Sequence, residues 1–119
     1  MTHQQIGKRG ETIAAEFLQK QGYSIIVSNW HCPYGEIDIV AKHNDEWVFV
    51  EVRSRRAKTT ESAFASISLK KRERMILAAQ QYLSDFALPH DSWRIDVIGI
   101  ALHRASSPHI EHVENALDW

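Results

Sequence analysis

Long apolar runs and cysteine are both scarce in this chain of 119 residues. Because no run of about 18 apolar residues occurs, no transmembrane helix is expected. The first five residues lack the basic patch and apolar stretch of a secretory signal, so we expect a cytoplasmic protein. The one cysteine, Cys32, excludes an internal disulfide and fits a reducing compartment. Cys32 beside His31 also offers too few ligands for a zinc site, which needs about four.

Extremes of composition are equally absent. Hydrophobic residues make up 44% of the chain and charged residues 24%, which excludes a collagen-like, mucin-like or fully disordered protein. No internal repeat, low-complexity tract or linker rich in proline or glycine interrupts the sequence. Length and composition therefore predict one domain spanning residues 1–119.

The net charge is also small, at −1, but it is unevenly distributed. Residues 51–74 carry eight basic and three acidic side chains, a local charge of +5, and the remaining residues sum to −6. The basic side chains are Arg53, Arg55, Arg56, Lys58, Lys70, Lys71, Arg72 and Arg74. A basic block on an acidic body is typical of a phosphate-binding surface, and also of a solvated helix and loop; charge alone favours neither.

The spacing of apolar residues predicts the element order αβββαββ. The predicted helices span 4–21 and 68–86, the predicted strands span 23–30, 36–42, 47–53, 94–102 and 109–114, and a basic loop covers 54–65. Gly22 follows the first helix as its expected C-cap. This order indicates an α/β protein with helices packed against a sheet.

The second and third strands form a hairpin rich in carboxylates. If the turn is centred on residues 44–45, facing residues have numbers that sum to 89, so Asp38 faces Glu51 and Glu36 faces Arg53 on one side. Two directly opposed carboxylates cost roughly 0.2–1 kcal/mol without a counter-charge. A divalent cation such as Mg²⁺ or Mn²⁺ would supply that charge. Ordinary ion pairs with arginine are the alternative.

Glu11 lies on the flank of the apolar stripe of the first helix. From there its carboxylate either reaches over the sheet face toward the hairpin or remains an ordinary surface group. Near the hairpin, Trp30 and Tyr34 flank a turn and either stack on a nucleotide or serve a structural role.

Several motifs together resemble the YraN-like family of small bacterial proteins. They are Gly7-x-x-Gly10-Glu11-x-x-Ala14, Gly22-Tyr23, Asn29, Gly35-Glu36-Ile37-Asp38-Ile39-Val40, Phe49-Val50-Glu51-Val52-Arg53-x-Arg55, Arg94-x-Asp96-Val97 and Glu114-Asn115-Ala116. The resemblance covers nearly the whole chain. That family is similar to the restriction-endonuclease-like superfamily, whose motif is PD-(D/E)XK, and is related to archaeal Holliday-junction resolvases.

The resemblance implies a restriction-endonuclease-like αβββαβ core, with a mixed central sheet flanked by helices. It also implies that Asp38, Glu51 and Glu11 are metal ligands for Mg²⁺ or Mn²⁺: Asp38 is the motif's Asp, Glu51 its (D/E), and Glu11 the helix-borne Glu of the resolvase branch. Bound there, a cation polarises a phosphodiester and activates a water.

Arg53 stands where the motif has lysine. Arginine stays protonated and cannot act as a base, but it can hold a phosphate or stabilise negative charge in a transition state. A lysine from the second helix, Lys70 or Lys71, is a candidate replacement, and Lys71 is favoured because the family pattern has lysine there. The alternative is an ordinary basic start to the helix.

The sequence thus supports two hypotheses. In the first, the protein binds nucleic acid, DNA above all, and hydrolyses branched DNA with a divalent cation. Its catalytic residues are Asp38, Glu51, Arg53 and Glu11. The backbone-binding residues are Arg55, Arg56, Lys58, Lys70, Lys71, Arg72 and Arg74. In the second, the protein is a catalytically inactive nucleic-acid-binding or protein-interaction module. A homodimer is expected only by analogy with the resolvases, and no membrane association is expected.

Overall fold

The computed structural model describes residues 2–104 and 106–116. The predicted domain 1–119 also includes residues 1, 105 and 117–119, which lie outside the described residues. The elements are α1 (His3–Lys20), β1 (Ser24–Cys32), β2 (Gly35–His43), β3 (Glu46–Arg56), α2 (Glu61–Ala65), α3 (Leu69–Asp85), β4 (Trp93–Leu102) and β5 (His109–Val113). Among the helices of the described residues, none is both long enough and apolar enough to cross a membrane.

The strands form one mixed sheet in the order β1-β2-β3-β4-β5. Strands β1, β2 and β3 are antiparallel neighbours, β3 and β4 are parallel, and β4 and β5 are antiparallel. The parallel pair requires a crossover, which α2 and α3 supply. The fold is therefore the predicted α/β class, compatible with an αβββαβ core.

Two apolar clusters cover the two faces of the sheet, one under α1 and one under α3. Neighbouring strand residues divide between them: Ile39 and Val50 face α1, whereas Val40 and Phe49 face α3. This division follows from the alternation of side chains along a strand. The helices contribute Ile6, Ala14 and Leu18 from α1, and Ala78, Ala79, Tyr82 and Leu83 from α3.

Helix α1 lies unusually close to β3 at Gly10. A Cβ atom on Gly10 would lie 1.6 Å from Ser54 Oγ, so only glycine permits this approach. The helix begins with a capping box, in which Thr2 accepts from the backbone N–H of Gln5 and the Gln5 side chain accepts from that of Thr2. The C-cap is Gln21 rather than the predicted Gly22, which follows it with a φ of 91°. The close approach brings the next residue, Glu11, over the sheet.

Two parts of the secondary-structure prediction are wrong. The predicted loop 54–65 instead continues β3 through Arg56, because residues 54–56 pair with β4, and then forms α2. Helix α2 is stabilised by tertiary packing, since Ala63 is buried and the ring of Phe64 lies over Gly99. The predicted strand 23–30 ends too early and the predicted strand 36–42 begins too late, because β1 pairs with β2 as far as Cys32 and Gly35.

Candidate functional site

The β2–β3 hairpin has the predicted register next to its turn, but the predicted pairs Asp38–Glu51 and Glu36–Arg53 lie beyond the last paired residues. Five consecutive pairs have numbers summing to 89, ending with Ile39 opposite Val50, and both residues of the turn 44–45 have positive φ angles, as in a type I′ turn. Beyond that pair, Asp38 Oδ2 accepts a hydrogen bond from the backbone N–H of Val52 at 2.8 Å. The Asp38 carboxylate thus accepts a hydrogen bond from the backbone of β3 just beyond the last backbone pair of the two strands.

Three carboxylates meet at this end of the hairpin. Glu11 from α1, and Glu36 and Asp38 from β2, each place one oxygen within 4.8 Å of the other two, and all three residues are half-buried. Asn29 of β1 joins them: in the orientation that satisfies its hydrogen bonds, its amide nitrogen donates to Glu11 Oε1 at 3.2 Å and to Glu36 Oε1. Glu11 therefore does reach over the sheet. Glu11, Glu36 and Asp38 are called the acidic cluster below.

Glu51 lies beside the acidic cluster but outside it. Its side chain is 6% exposed, and its Oε1 atom lies 3.5 Å from Lys71 Nζ of α3 and 3.2 Å from Arg53 Nε. The Arg53 Nε–H makes no aligned hydrogen bond, so this second contact is an electrostatic one. The predicted set of Glu11, Asp38 and Glu51 is thus brought together only in part, and Glu36 takes the third place in the closest group.

Crowding and burial raise the pKa values of these carboxyl groups. Burial, followed by the charges of Asp38 and Glu36, raises the pKa of Glu11 to about 7. Burial and the charge of Asp38 raise the pKa of Glu51 to about 7, against the opposing effect of Lys71 and Arg53. Burial also raises the pKa of Asp38, although the hydrogen bond from Val52 opposes it. Positive charge placed here would therefore be strongly stabilised.

The predicted backbone-binding residues divide between two places. Lys71 and Arg74 line a shallow groove with Tyr34, Gly35 and Glu36, next to the acidic cluster. Arg55 and Arg56 instead line a cavity near the start of α1, and Arg55 Nη1 donates to the carbonyl of Ser54 at 2.8 Å. The remaining predicted residues, Lys58, Lys70 and Arg72, line neither of these surfaces.

The two aromatic residues near the turn have different surroundings. The Trp30 ring packs edge-on against Tyr82 of α3, with 5.1 Å between the ring centres, so Trp30 belongs to the core. Tyr34 is exposed and lines the groove of Lys71 and Arg74. Of the two, only Tyr34 presents its ring beside the acidic cluster.

Sequence reasoning did not include Glu36 and Asn29 among the site residues. Glu36 had a usable signal, since it lies two residues before Asp38 and a strand places both on one face. The only sequence signal for Asn29 was its place in the family pattern. Its positive φ of 55° on β1 becomes visible only in the folded chain. Asparagine tolerates that left-handed conformation better than most residues.

A second polar group lies away from the acidic cluster, around the fully buried Asp96 of β4. Its carboxylate accepts from Arg94 Nε at 2.9 Å and the backbone N–H of Asn115 at 3.0 Å, and lies 2.7 Å from His112 Nε2. Although burial opposes its charge, hydrogen bonds from His112 and Arg94 lower the pKa of Asp96. This group joins β4 to β5 and is structural.

The fold and the site together define an α/β protein with a carboxylate cluster beside a β-hairpin. A mixed sheet flanked by helices carries clustered carboxylates at the end of a β-hairpin, in an arrangement compatible with an αβββαβ core. Comparison with known proteins specifies the family: residues 10–100 match the model of the uncharacterised protein family UPF0102, and the chain belongs to that family. The YraN-like resemblance is thereby confirmed.

Relatives in several bacteria share most of the chain. A UPF0102 protein of Roseiflexus castenholzii is 44% identical over 115 residues, covering 95% of this chain and 93% of the relative. One from Pseudomonas syringae is 37% identical over 118 residues, covering 98% and 96%. One from Rhodococcus jostii is 36% identical over 111 residues, covering 93% and 94%. The family match over residues 10–100 spans the positions of the acidic cluster.

Proposed function

We propose that this protein binds nucleic acid and hydrolyses phosphodiester bonds of DNA, with a divalent cation held by the acidic cluster. The observation that carries the proposal is the meeting of Glu11, Glu36 and Asp38 within 4.8 Å. Branched DNA is the proposed substrate, by analogy with the resolvases. Basic groups on the neighbouring groove supply contacts to a phosphate backbone.

The donor set suits a hard cation. All the converging ligand atoms are carboxylate oxygens, which Mg²⁺ and Mn²⁺ prefer over nitrogen or sulfur. Burial, and then the charges of neighbouring carboxylates, raise the pKa values of Glu11 and Glu51, and the charge of a bound cation would oppose both effects. When bound, such a cation polarises a phosphodiester and lowers the pKa of an attacking water.

Lys71 is the residue that best replaces the motif lysine. Its ammonium group lies 3.5 Å from Glu51, although it comes from α3 rather than from the hairpin. A lysine amine can act as a base when it loses its proton, whereas the guanidinium of Arg53 stays protonated. In the proposed reaction Lys71 orients the water or the scissile phosphate, and Arg53 stabilises negative charge on the phosphate.

The inactive binding module remains the second candidate, because one observation favours it. The Glu51 carboxylate already has two cationic partners, Lys71 and Arg53, within the protein. Because these two positive charges already offset the charge of the Glu51 carboxylate, a metal cation would stabilise it less. In that case the groove of Lys71 and Arg74 binds nucleic acid without cleaving it.

A cleavage assay separates the two candidates. Labelled linear, flap and four-way DNA are incubated with the protein, with Mg²⁺ or Mn²⁺ and with a chelator. We expect metal-dependent cleavage that Asp38→Asn and Glu11→Gln reduce by 10²-fold or more, on the order of one lost transition-state contact. Glu16→Gln is the matched control, because Glu16 is exposed on the same helix. DNA binding without cleavage by the wild type would favour the inactive module.

A further inference from the structure

Two basic cavities adjoin each other at the ends of β3 and β4, on the other side of α1 from the acidic cluster. The larger has a volume of 390 Å³ and is lined by Arg9, Arg56, Leu102, His103, Arg104, Ser106 and Pro108. The smaller has a volume of 320 Å³ and is lined by Thr2, His3, Ile6, Ser54, Arg55 and Arg56. Arg56 lines both, so the two form one surface, called the arginine surface below.

Among the described residues that line it, the arginine surface has cations and no carboxylate. Its larger cavity brings together side chains of α1, the end of β3 and the segment after β4, and its charged members are Arg9, Arg56 and Arg104. Within residues 2–104 and 106–116, neither Arg9 nor Arg104 forms an ion pair with a carboxylate. The like charges of Arg9 and Arg104 repel each other, so an anionic ligand would be favoured here.

The geometry of α1 relates this surface to the acidic cluster. Gly10 faces the sheet, and successive helix residues are turned by about 100°, so Arg9 and Glu11 lie on opposite flanks of the helix. Glu11 is turned toward β2 and Arg9 toward the end of β4. His3, on the rim of the smaller cavity, lies eight residues from Glu11, which is about 12 Å along the helix axis.

We propose that the arginine surface is a second contact for the sugar-phosphate backbone of the nucleic acid, distinct from the groove of Lys71 and Arg74. The proposal rests on the proposed function, because it assigns a place to a strand that also passes the acidic cluster. The separation of about 12 Å between His3 and Glu11 along α1 spans three to four steps of a DNA strand at 3.4 Å each. The rim of the arginine surface and the acidic cluster are therefore close enough to contact one continuous strand.

The test compares two variants that lose the same charge. Arg9→Ala/Arg104→Ala removes two cations of the arginine surface, both exposed. The control variant, Lys20→Ala/Lys42→Ala, removes two cations outside the arginine surface. Lys20 is the last residue of α1, and Lys42 is the last but one of β2. Affinity for a labelled duplex and a flap, each of about 20 base pairs, is measured by fluorescence anisotropy over a series of salt concentrations. Thermal melting verifies that each variant is folded.

Loss of two phosphate contacts lowers the slope of log affinity against log salt by about 2, and the affinity at 0.1 M salt by about 60-fold. We expect both effects in the arginine variant and neither in the lysine variant. Equal behaviour of the two variants, with the wild type binding normally, would overturn this inference and leave the proposed function standing. Failure of the wild type to bind any of these DNAs would overturn both.

Discussion

Lys71 and Glu51 form an ion pair across the packing of α3 on the sheet, with 3.5 Å between Nζ and Oε1. The carboxylate is 6% exposed and the lysine side chain 30% exposed, so the pair is partly shielded from water. Arg53 is the second cation on the same carboxylate oxygen. Helix α3 is thus linked electrostatically to the hairpin that bears Asp38.

Loss of Lys71 should make the stability depend more strongly on pH. Lys71→Met leaves the buried Glu51 carboxylate with Arg53 alone, which costs about 1–2 kcal/mol where Glu51 is ionised. The pKa of Glu51 is about 7, so the loss appears at about pH 8 and shrinks at about pH 5.5, where the group is protonated. Chemical denaturation at the two pH values measures this. Lys70→Met, an exposed neighbour, is the control, and equal losses at both pH values would contradict the prediction.

Without a divalent cation, the protein should lose stability as the pH rises from about 5 to about 8. The pKa values of Glu11 and Glu51, raised to about 7 in the folded protein, exceed their ordinary value of 4.5. The folded state therefore binds more protons than the unfolded state in this range, and its stability falls with increasing pH. Thermal melting in a chelator over this pH range tests the sign. Glu11→Gln/Glu51→Gln should flatten the profile, and an unchanged slope would show that other groups cause it.

Gly10→Ala should destabilise the protein and misplace Glu11. The new Cβ would lie 1.6 Å from Ser54 Oγ and 2.8 Å from Ser54 Cβ, so α1 must move away from β3. We expect a loss of about 1–3 kcal/mol, as for other overpacked sites, and a weaker response to divalent cations. Gly7→Ala is the control, because a Cβ there has nothing within 4 Å and alanine favours a helix. Gly10→Ala/Ser54→Gly should recover part of the loss; no recovery would place the strain elsewhere.

Asp96→Asn should be among the most destabilising single changes in the chain. It removes the charge that Arg94 and His112 contact in a fully buried position, at a cost of about 3–5 kcal/mol. Hydrogen bonds lower the pKa of Asp96, so its contribution is present at neutral pH and is lost as the pH falls below the ordinary value of 3.8. Urea denaturation at neutral pH measures the loss. A loss no larger than that of the exposed control Asp91→Asn would show that the network contributes little.

Local patterns were sufficient to predict much of the fold. The turn at residues 44–45 and the alternation along the two strands determine the hairpin register, and both are readable in the sequence. The C-terminus of α1 is marked by Gly22. The N-terminus of α3 is marked by Ser68, whose side chain accepts a hydrogen bond from the backbone N–H of Lys71. Helix α2 was missed because its stability comes from the packing of Phe64 on the distant Gly99.

The candidate site was predicted less completely because its membership depends on contacts between elements. The predicted register places Asp38 opposite Glu51, but the observed pairs end at Ile39 and Val50. Glu11 reaches the hairpin because α1 approaches β3 closely at Gly10. As a result Glu36 joins Glu11 and Asp38, while Glu51 pairs with Lys71. For the same reason the sequence predicted Arg55 and Arg56 of the arginine surface but not Arg9 and Arg104, which are 95 residues apart in the sequence.

Calorimetric titration of Mn²⁺ into the cation-free protein at about pH 8 is the decisive test of the proposed cation site. We expect one saturable site in the wild type and in the Glu16→Gln control, and loss of that site in Glu11→Gln/Asp38→Asn. Proton uptake by the buffer, measured by repeating the titration in a second buffer, should accompany binding below about pH 7, because the carboxyl groups must ionise. Absence of binding to the wild type, or equal binding to the folded double variant, would contradict the assignment of a cation site to the acidic cluster.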